Sequence, residues 1–250
     1  MKQLKHYTSS VVLLLLLLIG WEIGANQVNK PFILPSPTLI LAKMVELHDV
    51  LFKVHLLATL EVILIGLFIS VVFGVSLAVW MNMSTLAEKT FFPIVIASQT
   101  IPIIALAPIF VLWFGYTIWS KVVVTVLITF FPITIGVFDG LRSTSKDHID
   151  LLRTMGANRW QIFYKIQVPT ALPYFFSGLK VAVTLSVIGA AIGEWLGANA
   201  GLGYFSRRMM TQFDGAGVFA PIVWLSILGI TLFLIVKALE TYLLKWRKKS

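Results

Sequence analysis

Residues 144–173 read TSKDHIDLLRTMGANRWQIFYKIQVPTALP. This is the one long polar interval in an otherwise membrane-like chain, so its reading decides how the rest is arranged. Locally it spells two short helices around a glycine. Thr144 with Asp147 fits a capping box, in which hydroxyl and carboxylate take up free backbone N–H groups at a helix start. Ile149, Leu152 and Met155 recur at roughly helical spacing and give the first helix one apolar face. Gly156 stands where a helix can end in the left-handed conformation without a Cβ penalty. Asn158 caps a second helix, with Trp160, Phe163, Tyr164 and Val168 on its apolar side and Arg159 and Lys165 facing out. Pro169 is expected to stop that helix, because it lacks an N–H and disfavours helix before it.

On both sides of this interval the chain is apolar. Of its 250 residues 58% are hydrophobic and 12% charged, and the mean hydropathy is +0.90. A soluble domain carries about 25% charged residues, so that class is excluded. The absence of cysteine excludes disulfides and thiolate metal sites. Apolar runs of about the 20 residues that cross a bilayer core place six spans at 10–28, 56–81, 91–114, 120–139, 173–196 and 218–244. The start, with Lys2, Lys5 and His6, has the form of a signal peptide but no small-residue cleavage site follows, which reads as an uncleaved first span.

Individual spans carry further signals. Glu22, beside Trp21, is expected to snorkel or to pair with a neighbouring helix. Gly66, Ser70, Gly74, Ser76 and Ala78 let span two approach other helices closely and predict a central place for it. In span three, Pro102 frees backbone carbonyls at membrane depth, where they need an internal partner or a water-lined cavity. Gln99 and Thr100 either supply that partner or, for Gln99, line a substrate path. Lys180 is expected to snorkel at the cytoplasmic end of span five, and Lys237 to pair with Glu240 three residues on. The run GEWLGANAGLGY, residues 193–204, allows tight turns and close approach, as an outer gate and dimer interface or as a plain re-entrant loop.

Charge fixes the orientation. Twelve Lys and Arg residues fall on the side of both termini and the 144–173 interval, and six on the other, so the former side is cytoplasmic by the positive-inside rule. The net charge of +9 is thus a topology signal, and no nucleic-acid partner is expected. No glycine is followed by lysine, so a phosphate-cradling loop of the G-x-x-x-x-G-K type is absent. The four histidines show no metal spacing. Neither an intramembrane hydrolase nor a bound cofactor is indicated.

Asp150-Leu151-Leu152, then Gly156, then Ile166 to Pro169 and Pro173, resembles the coupling loop of ATP-binding-cassette importer permeases. Asp-Leu-Leu stands where that family usually has Glu-Ala-Ala. The segments 32–37, FILPSP, and 193–204 are similar to the nitrate, sulfonate, taurine and thiamine-precursor group of these permeases. The resemblance implies an all-α polytopic membrane protein of one domain, with six transmembrane helices and a cytoplasmic coupling loop at 144–172 between spans four and five. It further implies that Asp150, Leu151, Leu152, Met155, Gly156 and Ala157 contact a separate ATPase subunit. Gln99, Thr100, Pro102, Glu194 and Tyr204 are then candidates for the substrate path. The expected assembly is a permease homodimer in the prokaryotic inner membrane with two ATP-binding subunits and an extracytoplasmic solute-binding protein. ATP would be hydrolysed on the ATPase subunit, and the expected cargo is the pyrimidine precursor of thiamine. Nitrate, sulfonates, taurine and riboflavin are the alternative cargoes. A secondary transporter is the rival reading, because broken helices and a midplane acid are typical there; few spans and no evident internal repeat speak against it.

Overall fold

The computed structural model describes residues 2–245, with side chains from residue 9 onward. The basic tail at Arg247, Lys248 and Lys249 lies outside the described residues, as do the side chains of Lys2, Lys5 and His6. The described chain is helical throughout, with no strand. In order the helices are α1 (Lys2–Val28), α2 (Pro37–Glu46), α3 (His48–Met83), α4 (Thr85–Ser98), α5 (Ile103–Phe114), α6 (Ile118–Arg142), α7 (Lys146–Thr154), α8 (Arg159–Gly197), α9 (Leu202–Thr211) and α10 (Gly215–Leu243). Among the described residues α1, α3, α6, α8 and α10 are long and apolar enough to cross a membrane, and the pair α4 and α5 makes a sixth span when taken together.

That pair covers the broken span read at 91–114 and starts earlier, at Thr85. Its two helices turn by 99° at residues 99–102. Pro102, which has no N–H to continue α4, is extended at φ −71° and ψ 99° and opens α5 instead.

The centre of the bundle is α6, held between α3 and α8. Alongside α3 it runs parallel at a constant register, Gly66 against Thr125 and Gly74 against Thr134 and Ile133. Between these, the hydroxyls of Ser70 and Thr129 share a buried hydrogen bond of 2.6 Å. Along α8 it runs antiparallel, with Gly193 on Lys121, Gly189 on Thr125 and Gly178 on Pro132. In lipid there is no hydrophobic drive between helices, so association depends on van der Waals contact and interhelical hydrogen bonds, which small residues permit. Of the five small residues read in span two, Gly66, Ser70, Gly74 and Ala78 are buried, whereas Ser76 lies on the exposed side. By contrast α1 is peripheral, and its leucines 13–17 are 52–62% exposed towards lipid.

Lys180 and Glu240 are paired differently from the sequence reading, whereas Glu22 pairs with a neighbouring helix as expected. Lys180 on α8 bonds Glu240 on α10 at 2.7 Å, so Glu240 is taken across helices rather than by Lys237. Glu22 accepts from both the N–H and the hydroxyl of Thr38, at 3.1 and 2.7 Å, and so ties α1 to the first turn of α2.

Pro169 does not stop the second helix of the polar interval. α8 starts at Arg159 and runs through both Pro169 and Pro173, because a wide π-type turn at Phe163–Gln167 precedes them. There the Val168 N–H reaches back five residues to the Phe163 carbonyl. The wider turn sets Pro169 at the second position of a fresh α-helical run, where a missing N–H is tolerated.

Candidate functional site

The polar loop between α6 and α8 is built from its caps outward. Ser145 precedes α7 without a side-chain bond, and the Thr144 hydroxyl donates to the Leu141 carbonyl at 3.3 Å. The capping box expected at Thr144 and Asp147 is therefore not formed, since Thr144 is buried against the end of α6. At the other end of α7, Gly156 has φ +82°. Its N–H bonds the Arg153 carbonyl at 3.0 Å while the Ala157 N–H bonds Leu152 at 2.9 Å. This is the paired ending that a left-handed glycine allows. Asn158 and Gln161 then form a reciprocal capping box, at 2.9 and 2.8 Å, that opens α8.

The surface of this loop is its main feature. α7 has no buried residue, with Leu151 58% and Met155 74% exposed. Ile149 and Leu152 are half-buried, and Asp150 pairs with Arg153 at 3.2 Å on the exposed side. On α8, Ile162 and Phe163 are buried, whereas Trp160 and Tyr164 of the expected inner face are exposed. A nine-residue helix is marginal by itself. With exposed apolar side chains around an ion pair, this one has the character of a surface that another protein covers.

The residues read as a substrate path fall at two corners. Gln99, Thr100 and Pro102 are exposed at the 99° bend between α4 and α5. The 14 residues of α4 rise about 21 Å, which is less than the depth of a hydrocarbon core of about 30 Å. Irregular backbone within such a core has to face protein or a water-filled cavity. The freed carbonyls are answered locally: Ser98 donates to Val95 and Thr100 to Ala97, both at 2.7 Å. Among the described residues the side-chain amide of Gln99 makes no hydrogen bond and remains available at the bend, while its backbone N–H donates to the Ile96 carbonyl at 3.2 Å.

Glu194 and Tyr204 belong to the α8–α9 corner, at the opposite end of α8 from α7. Glu194 is 1% exposed, so it lies inside the protomer, and its Oε2 accepts from the Gly203 N–H at 2.8 Å. Gly201 has φ +124°, and a Cβ there would stand 2.2 Å from the Glu194 carboxyl carbon, so no larger residue fits. Tyr204 is half-buried beside His55, with ring centroids 6.1 Å apart. His55 and Thr59 also join this corner, and the sequence reading missed them. It left His55 in an outer loop, whereas α3 starts at His48 and carries both on one face, four residues apart. Near the same corner, Lys43 on α2 lies between Glu46 and Asp214, at 3.0 and 3.3 Å. The hydrogen bond to Glu46, and after it the carboxylate of Asp214, hold the Lys43 ammonium above the usual lysine range against the opposing effect of burial.

Residues 70–247 match the family described as the binding-protein-dependent transport system inner membrane component. The formylaminopyrimidine transport permease of Halalkalibacterium halodurans is 55% identical over 250 residues, covering all of both chains. The riboflavin transport system permease of Chloroflexus aurantiacus is 35% identical, over 94% of this chain and 88% of its own. Among solved structures, a chain of the MetNI methionine ABC transporter in an inward-facing conformation superposes with a TM-score of 0.68. At 21% identity it covers 79% of this chain and 97% of its own, a likeness of fold.

Proposed function

The chain belongs to the binding-protein-dependent transport system inner membrane components, and from that premise we propose how its parts serve import and what it carries. It is the permease subunit of an ATP-driven importer, a multi-pass membrane protein and not an enzyme. Its family works with an ATP-binding subunit and a solute-binding protein. The assembly we propose is a permease homodimer carrying two ATP-binding subunits, with both termini and the α7 loop in the cytoplasm. An apolar groove of about 650 Å³ between α5, α8 and α10, with Ile188, Ile222 and Ile230 in its wall, supports a second copy beside the first.

In this reading Asp150, Leu151, Leu152, Met155, Gly156 and Ala157 dock on the ATP-binding subunit. The single observation that carries it is that α7 has no buried residue, and that Leu151 and Met155 at its end have no cover within the protomer. Closure of the paired ATPases on ATP then displaces α7. Because the α7–α8 turn is rigidly capped, the displacement passes into α8, and from α8 into α6 through their glycine contacts. Access alternates past the exposed bend at Gln99, Thr100 and Pro102, with Glu194 and Tyr204 shaping the outer corner. The substrate we propose is a formylated or hydroxymethylated aminopyrimidine, a precursor of thiamine. The 55% identity to a formylaminopyrimidine permease across both full chains supports this. Riboflavin, carried by a relative at 35% identity, is the second choice.

Mass spectrometry of what copurifies with the tagged chain, in mild detergent from its native membrane, tests this. The expected recovery is an ATP-binding subunit and a solute-binding protein whose bound ligand is an aminopyrimidine. A flavin or a sulfonate on that binding protein would replace the substrate assignment. Recovery of the chain without an ATPase would contradict the assembly.

A further inference from the structure

The first three backbone amides of α9 are held by side chains of two other helices. Free amides at a helix start are ordinarily answered by a capping side chain or by water, but the cap of α9 is Gly201, which has no side chain. Instead the Gly201 N–H donates to His55 Nδ1 at 3.1 Å, the Leu202 N–H to Thr59 Oγ1 at 2.8 Å, and the Gly203 N–H to Glu194 Oε2 at 2.8 Å. His55 and Thr59 come from α3, and Glu194 from the end of α8. Their exposures are 5%, 0% and 1%, so water does not share the work. The Thr59 hydroxyl donates in turn to the His55 carbonyl at 3.1 Å, which leaves a lone pair aimed at Leu202. The His55 ring packs on Phe205 of α9 with centroids 4.8 Å apart.

We propose that His55, Thr59 and Glu194 are positioning residues that lock α9 to the outer ends of α3 and α8, making α9 the element through which the outer face senses their separation. All three bonds form only while α3 and α8 keep their present spacing. If the two ends part, at least one amide is left unpaired in apolar surroundings, which is costly, so α9 has to move with them. Glu194 Oε1 is buried with no hydrogen-bond partner. A buried carboxylate held short of full satisfaction suits a lock that closes and opens in a cycle rather than a permanent joint. α9 turns Leu202, Phe205 and Met209 inward and leaves Arg207, Arg208 and Met210 exposed. Seating of a solute-binding protein against that exposed face is thereby linked to the transporting helices, as α7 links them to the ATPase. The proposal rests on the importer reading above.

The test compares Thr59→Val with Thr59→Ser in the complex with its ATP-binding subunit and binding protein, reconstituted in liposomes. Valine keeps the shape and removes the acceptor for Leu202, whereas serine retains it. Thr59→Val is expected to leave abundance and basal ATPase near those of the unsubstituted complex. Stimulation of the ATPase by the loaded binding protein should fall at least about tenfold, equivalent to ~1.4 kcal/mol of coupling, and Thr59→Ser should restore it. Full stimulation of Thr59→Val overturns the proposal. A proportional loss of basal and stimulated rates, or failure of serine to rescue, also overturns it by showing a merely structural role. If Thr59→Val does not assemble, His55→Leu against His55→Asn decides by the same comparison, since asparagine keeps an acceptor near the Nδ1 position. An unsubstituted complex that shows no stimulation contradicts the importer reading itself, and the lock falls with it.

Discussion

Gly156→Asp is expected to reduce substrate uptake by at least about tenfold while the protein inserts and accumulates as before. Two observations separate these effects. A Cβ at Gly156 would meet nothing within 4 Å, so the fold itself offers no clash. The φ of +82° strains most side chains, but aspartate visits the left-handed region more readily than others, which keeps the local penalty small. What the substitution adds is a carboxylate on the proposed docking surface. An uncompensated charge buried by a partner costs about 3–5 kcal/mol, and each ~1.4 kcal/mol is about tenfold in affinity. Uptake of labelled substrate, normalised to the amount of chain in the membrane, is the readout. Normal uptake at normal abundance would remove Gly156 from the docking surface.

Gly178→Val has the opposite signature, a loss of the protein rather than of its coupling. The first atom of any side chain at Gly178 would stand 2.3 Å from the carbonyl oxygen of Pro132. Overpacking usually costs about 1–3 kcal/mol because neighbouring side chains can shift. Here the obstacle is backbone, and relief requires α6 and α8 to part along their shared glycine register. A loss of 1–2 kcal/mol already changes cellular abundance several-fold, so the level in the membrane is expected to fall at least about fivefold. Gly229→Ala is the control. Its Cβ would meet only a methyl of Val187 at 3.4 Å, an ordinary contact, and its abundance should stay near normal.

Hydropathy alone marked the five helices that are long and apolar enough to cross a membrane, and the region of the bent pair α4 and α5, because burial in lipid demands long apolar helices whatever their packing. Local chemistry was also readable: Gly156 ends α7 in the left-handed conformation, and Asn158 caps α8, as residue type and spacing require. What the sequence hid depends on groups far apart in the chain. Pro169 obeys a rule that holds for α-helix, and the π-type turn before it lifts that rule. Thr144 has the form of a cap but is drawn to a carbonyl of α6. Gly178 gives no sign that Pro132 lies against it, since nothing in the local pattern sets the α6–α8 register. The same holds for the candidate site. Spacing pointed to an apolar face on α7, but only the fold shows that the protomer leaves Leu151 and Met155 uncovered. Glu194 stood out as an acid beside a glycine run, whereas its true partners, the amide of Gly203 and the neighbouring prongs from His55 and Thr59, required the loop to close.

The chain contains no cysteine, so Met155→Cys introduces a unique thiol at the C-terminal end of α7, on an apolar side chain that is 74% accessible. Cross-linking this variant in native membranes with a short bifunctional thiol–amine reagent tests most directly whether α7 is the seat of the ATP-binding subunit. The expected product is one adduct with the combined mass of the chain and its ATP-binding subunit, with a yield that changes when ATP is trapped. No adduct with that subunit, or labelling of the thiol by a membrane-impermeant maleimide added to intact cells, would place α7 elsewhere and contradict the proposed coupling.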